Sequence, residues 1–227
     1  MDENHLMYSK ICEKIVEIYL NDHFSQEIAE AHLQRFRKQY LQFLESLPNL
    51  GGKDNGQAQS VYDCIALFAL YEILPEKPTL GVFEALVTQV FVPQMERASY
   101  ANLNCRLVQR VACGIFRHIA HKGKDHEREW YGNYHMGVEP YDPEQGIRYH
   151  FTSCPIADFA KEHGYNHLMP AMCNPDYPML AALKGGLIRT KTCAQDDCCD
   201  YWIVGSNSPF LQEHPQYRDE NGYIRNK

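Results

Sequence analysis

The feature that most constrains this chain is a change of hydrophobic period near residue 129. Before it, apolar residues recur at helical spacing; beyond it, they alternate with polar ones. Leu33, Phe36, Tyr40, Phe43, Leu44 and Leu47 follow three- and four-residue steps, with Ser25 placed as an N-cap and Pro48 just past the end. Ile11, Ile15 and Ile18 mark a shorter helix before it. Residues 61–74 are apolar on most faces and predict a buried helix that stops before Pro75, and residues 80–91 predict another, ended by Pro93. Leu103, Leu107, Val111, Ile115 and Ile119 form an apolar stripe on a long helix over about 100–121, with Arg106, Arg110 and Arg117 off the stripe as a solvated face.

Past Glu129, Ile147, Tyr149 and Phe151 alternate with Arg148, His150 and Thr152, the period of a half-buried strand. A strand around 131–138, joined to it through Pro140-Tyr141-Asp142-Pro143, makes a loose hairpin. Pro155 suits the first position of a helix reaching about His163. Residues 187–193 and 199–204 alternate as two further strands about a turn at 194–198. The expected fold is α+β, an N-terminal helical bundle followed by a small antiparallel sheet with short helices. It divides into a helical region over 1–128, a cysteine-containing α+β region over 129–205 and an extended polar tail over 206–227, read as one compact unit.

Composition narrows the function. The chain has 227 residues, 44% hydrophobic and 22% charged, as in an ordinary soluble globular protein. A net charge of -7 argues against a nucleic-acid partner, which would call for a basic face. No early apolar run follows basic residues, so no signal peptide is expected, and the longest apolar stretch is too short to span a bilayer. Nine cysteines, an odd number without a secretory signal, point to reduced thiols in the cytoplasm. The expected partner is a small-molecule substrate, with self-association left open; no cofactor is expected.

Five of the nine cysteines fall between residues 154 and 199, beside carboxylates, prolines and turn residues. Cys12 and Cys64 have no such setting. With Pro155 as first helical residue, Cys154 is the N-cap, where free N–H groups and the positive helix end favour a thiolate. A small residue filling a bend is the plain alternative. Cys173 lies in Cys-Asn-Pro-Asp-Tyr, a turn in which Asp176 can reach back toward the thiol. Cys193 and Cys199 flank the turn of a hairpin, so a zinc held by three of Cys154, Cys173, Cys193 and Cys199 is a competing reading, although their spacing exceeds the usual knuckle. His150 stands near Cys154 as a candidate general base. His163 and His167 are separated by Gly164, and the sequence holds no dinucleotide fingerprint, nucleophile elbow or phosphate loop.

Cys154-Pro155 followed by Phe159, Leu168-Met169-Pro170, Cys173-Asn174-Pro175-Asp176-Tyr177, Arg189-Thr190-Lys191-Thr192 and Cys199-Asp200-Tyr201 together resemble the L-2-amino-thiazoline-4-carboxylic acid hydrolase family. The likeness covers about residues 130–205. It implies hydrolysis of a cyclic isothiourea to N-carbamoyl-cysteine, and it gives site roles to Cys154, Cys173, Asp176, Thr190, Thr192, Cys199 and Asp200. Cys193 and Cys198 fall outside the pattern, and Gln195-Asp196-Asp197 stands where the pattern has a glycine. In this reading Cys154 is the nucleophile, Asp176 or His150 handles protons, and Cys173 and Cys199 complete the pocket. Arg148, Arg189 or Lys191 would pair with the substrate carboxylate, with Thr190, Thr192 and Asp200 also contacting substrate. The strand-turn-strand ending is also distantly similar to 4-vinyl reductase domains, which implies a small-molecule sensor with a cysteine-bound zinc as the alternative.

Overall fold

The switch of period corresponds to a switch of architecture. A computed structural model describes residues 6–98 and 100–227. Helices α1 (Lys10–His23), α2 (Gln26–Ser46), α3 (Ala58–Ile73), α4 (Leu80–Glu96) and α5 (Arg106–Asp125) precede strands β1 (His135–Val138) and β2 (Ile147–Ser153). Short helices α6 (Pro155–Glu162), α7 (Met169–Cys173) and α8 (Asp176–Ala182) follow, then β3 (Gly185–Ile188) and β4 (Cys199–Gly205). Among the described residues no helix is long and apolar enough to cross a membrane.

Helix α3 is the axis of the bundle and is buried all round, as its continuous apolar run requires. Its one buried carboxylate, Asp63, accepts hydrogen bonds from the backbone N–H of Ser9 (2.6 Å) and from Gln59 (3.2 Å), fixing the start of α1. The buried face of α1 carries Cys12, Val16 and Leu20 rather than the isoleucines, and Ile18 is exposed. Helix α4 runs through Pro93 to Glu96 instead of stopping before it. The same core takes in Ile156, Phe159, Met169 and Met172, so it continues across the boundary at 128.

Helix α5 corrects the sequence reading most sharply. Leu107, Val111 and Ile115 are 69%, 56% and 54% exposed, while Gln109 and Cys113 are buried. Its inner face packs Val108, Ala112, Cys113 and Phe116 against a second small core with Leu103, Ile147, Leu187 and Ile203. Gln109 satisfies its amide by donating to Leu103 O and accepting from the Tyr141 hydroxyl, so a polar side chain occupies the inside. Hydrophobicity alone therefore selected the wrong face.

The sheet is antiparallel with order β1-β2-β4-β3. Tyr149 pairs with Tyr201 and Phe151 with Cys199 on one face, and Arg148 pairs with Trp202 and His150 with Asp200 on the other. The strand expected over 187–193 ends at Ile188, and residues 189–198 form an irregular loop. The polar tail is also corrected. Helix α9 (Phe210–Glu213) and a hairpin of β5 (Gln216–Arg218) and β6 (Ile224–Asn226) fold back, where Asn226 Oδ1 accepts from the Arg189 N–H and the Tyr177 hydroxyl, both at 3.0 Å.

Candidate active site

Three prolines set the local geometry of the site. Pro155 opens α6 and leaves Cys154 as its extended N-cap (φ −133°, ψ 106°). Gly164, at φ +79°, takes the chain out of α6 after His163 with a conformation that favours glycine. Pro170 lies in the first turn of α7, and Pro175 caps α8, so the break between these helices falls between Cys173 and Asp176. Asn174 at this break donates to Glu84 (2.9 Å) and Gly222 O (3.0 Å) and accepts from the Ile224 N–H (2.8 Å). Those bonds hold Cys173 and Asp176 on either side of a fixed corner.

Cys154, Cys173, Asp176 and Cys199 converge on one cavity of about 270 Å³ between α3, α4, the short helices and the sheet. Tyr134, Tyr149, Phe151 and Tyr201 form its wall on the sheet side, and Phe91, Ile156, Met169, Met172 and Met179 its helical side. Cys64 of α3 also lines it, so that thiol is not an unrelated core residue. Asp176 Oδ2 accepts from Arg189 Nη1 and from the Tyr201 hydroxyl, both at 2.8 Å. Arg189 is fully buried and also donates from Nη2 to Cys173 O at 3.0 Å.

The electrostatics depart from the expectation at Cys154. Burial pushes its thiol well above the ordinary value, aided by Cys173 and Cys199, and the amides of Ala157 and Ile156 at the helix start only partly oppose this. Cys154 is therefore a protonated thiol in the resting site, not a thiolate. Burial likewise pushes Cys173 up to about 12, with Arg189 pulling the other way. Cys199 is raised by its hydrogen bond with Cys193 and by burial. Asp176 is raised by burial first, with Arg189 and Tyr201 holding it back.

Several expected site residues lie elsewhere. Strand parity turns Arg148 and His150 away from the cavity. Arg148 stacks on Trp202 with its guanidinium 3.9 Å from the ring centre, and His150 is exposed over Gly137 of β1, in a position where any larger residue would meet its ring. Thus His150 is not beside Cys154. Lys191 is exposed and pairs with Asp197 at 2.9 Å. Asp200 accepts from the N–H groups of Thr190 (2.9 Å) and Lys191 (2.6 Å) and from the Thr190 hydroxyl (2.7 Å), so Thr190 and Asp200 shape the loop rather than line the cavity. Thr192 is buried, its N–H donating to Asp196 at 2.9 Å. Arg189 does not line the cavity itself and acts from behind it, on Asp176, the Cys173 carbonyl and the Tyr201 hydroxyl.

Cys193 does approach Cys199, its N–H donating to Cys199 Sγ at 3.0 Å, but its own thiol donates to Phe151 O at 3.3 Å. Among the described residues no three His, Cys, Asp or Glu side chains are arranged to hold a metal ion. The residues that sequence reasoning left out of the site include Cys64, the tyrosines and the methionines. For the tyrosines, parity in β2 carried that signal, because Tyr149 lies two residues from the inward Phe151 and shares its face, and Tyr201 is its partner on β4.

The cavity gathers thiols, one carboxylate and three tyrosines, a set of groups able to attack carbon and move protons. Residues 81–203 match the L-2-amino-thiazoline-4-carboxylic acid hydrolase family, and with over half the chain matched the protein belongs to it. The match begins at α4, well before the C-terminal portion that carries the sequence resemblance. Neither curated proteins nor solved structures gave a match to this chain.

Proposed function

We propose that this cavity hydrolyses a small cyclic amidine or isothiourea, opening the ring as in conversion of 2-amino-thiazoline-4-carboxylate to N-carbamoyl-cysteine. The observation that carries this reading is the convergence of Cys154, Cys173, Asp176 and Cys199 on one cavity in a chain of this family. The amidine carbon, bonded to nitrogen and sulfur, is the electrophile. Cys154 Sγ attacks it as its proton passes to Asp176, which is the one carboxylate lining the cavity among the described residues. The ring carbon–sulfur bond breaks, and the departing sulfur takes the proton from Asp176. Water then adds to the same carbon, giving a proton to Asp176, and the Cys154–carbon bond breaks with return of that proton to the thiol. The product is a urea-type group and a free thiol.

The raised Cys154 pKa suits this order of events. A protonated thiol stays inert until an amidinium and the carboxylate of the same cavity draw its proton away, and the positive substrate lowers the cost of the thiolate. Tyr201 and Arg189 hold Asp176 in place, leaving its other oxygen for the proton.

The test is release of free thiol from 2-amino-thiazoline-4-carboxylate and related thiazolines by purified protein. Cys154→Ser is expected to lower kcat by at least about a thousandfold, and Asp176→Asn by roughly 10²–10⁴-fold. Full activity in Cys154→Ser would remove the nucleophile and leave water activated by Asp176. No turnover of any thiazoline by the wild type would reject the hydrolytic reading.

A further inference from the structure

The cavity's charge is narrower than the family reaction suggests. A thiazoline acid carries a carboxylate that needs a cation or a set of donors when buried. Among the described residues, no Lys, Arg or His side chain lines the cavity. The cations expected for that task are all engaged elsewhere. Arg189 is fully buried behind Asp176, Arg148 is stacked on Trp202 across the sheet, and Lys191 is held on the surface by Asp197. Arg225, the next cation in the wall behind Cys173, is bound to Asp219 at 2.9 Å and Asp196 at 3.1 Å.

The groups that do face the cavity are of the opposite kind. Asp176 gives Oδ2 to Arg189 and Tyr201, whereas its Oδ1 has no protein partner among the described residues. Oδ1 is thus an open acceptor on a carboxylate that is about a third exposed within the pocket. It fits one N–H of an amidinium through a charge-assisted hydrogen bond, with its second lone pair left for the proton of Cys154. The far side is mostly apolar, with Phe91, Ile156 and three methionines, and methionine adapts to irregular apolar groups. Gln57 and Ser60 also line the cavity and, like the tyrosine hydroxyls, are neutral groups that supply no counter-charge. A volume of about 270 Å³ also exceeds what a five-membered ring with one amino group fills.

We infer that the preferred substrate is a cyclic amidine or isothiourea that enters as a cation, its amidinium on Asp176 Oδ1, with an apolar group rather than a carboxylate on the ring. This rests on the hydrolytic site proposed above but concerns its ligand charge, which is measurable without turnover. A carboxylate placed there would face Asp176 and the thiols with no counterion. An apolar substituent would instead bury its surface against the methionines at about 25 cal/mol per Å².

The experiment compares two ligands on the full-length wild-type protein, 2-amino-4-phenyl-thiazoline and 2-amino-thiazoline-4-carboxylate. Calorimetry gives affinity, and thiol release gives kcat/KM. The expected result is at least tenfold tighter binding of the phenyl compound, with kcat/KM favouring it by a similar factor. In Asp176→Asn the phenyl compound is expected to lose at least tenfold in affinity, while the acid loses less. Should that variant not fold, the wild-type affinities alone decide.

Equal affinities, tighter binding of the acid, or binding of neither compound would overturn the inference. A clear preference for the phenyl compound without turnover of either would uphold the charge assignment and defeat the hydrolytic reading. Turnover with preference for the acid would do the reverse.

Discussion

Two cysteines in this molecule occupy the same local position and end in opposite states. Cys105 caps α5 and Cys154 caps α6, each in extended backbone before a helix whose first amides point at the thiol. At Cys105, which is exposed, the amides of Val108 and Leu107 hold the thiol below its ordinary value. At Cys154 the equivalent amides of Ala157 and Ile156 act in the same direction and lose to burial among other thiols. The lesson is one of magnitude. A helix start contributes a modest stabilisation of an anion, whereas removing a thiolate from water costs several times more. Position along the helix decides the sign of one effect, and tertiary burial decides which effect wins.

The sharpest way to break this comparison is alkylation. With iodoacetamide at pH 7.5, Cys105 is expected to react about 10³-fold or more faster than Cys154, since each pKa unit is tenfold in thiolate. Peptide mass spectrometry over time gives both rates. Similar rates would mean that the helix end governs both positions.

Next in size is the support of the buried partner. Arg189→Met leaves Asp176 in the cavity wall without its cation, and a loss of about 2–3 kcal/mol in denaturant stability is expected, below the range for a fully buried pair because the carboxylate is partly exposed. The same change raises Asp176 further, so the acid limb of the pH–rate profile moves to higher pH. An unmoved limb would show that Asp176 is not the group that titrates.

Of comparable size is the dependence of stability on pH. Cys64, Cys154, Cys173 and Cys199 all have raised folded pKa values. In the unfolded chain they ionise near pH 8.5. Their stabilising contribution is therefore complete below about 8.5 and falls as pH rises, because the unfolded state releases protons that the folded state keeps. The slope is about 1.4 kcal/mol per pH unit for each such thiol. Cys105 has the opposite sign, its contribution present above the unfolded value and lost as pH falls through the folded one. Chemical denaturation at pH 7.5, 8.5 and 9.5 checks this, and a stability that stays level to pH 9.5 would contradict buried neutral thiols. The smallest effect is Cys105→Ser, expected to change stability by less than about 0.5 kcal/mol and to leave kcat/KM unaltered. A measurable fall in turnover would tie α5's start to the site.

The same contrast explains what was legible in the sequence. Helices α2 and α3, the N-cap role of Cys154 and the period-two strand are visible because local spacing and proline chemistry determine them. The grouping of Cys154, Cys173, Asp176 and Cys199 was reached through the family resemblance and local chemistry. What could not be read locally was which face a side chain turns inward. His150 follows its strand parity to the outside, and Gln109 lies inside α5 because Leu103 O and Tyr141 satisfy it. The resting charge of Cys154 was misread for the same reason, since the neighbours that bury it come from α3, α7 and β4. The tail was missed because its contacts, such as Tyr177 with Ile224, join residues distant in sequence.

The register of β2 against β4 has an evolutionary reach. Because side chains alternate, a single-residue deletion or insertion within β2 would exchange Tyr149 and Phe151 for Arg148, His150 or Thr152 at the cavity wall. One codon's worth of sequence thus separates an aromatic cavity wall from one that carries a guanidinium or an imidazole. A slip of the strand therefore changes the charge of the wall opposite Cys154 without any substitution at the thiol itself.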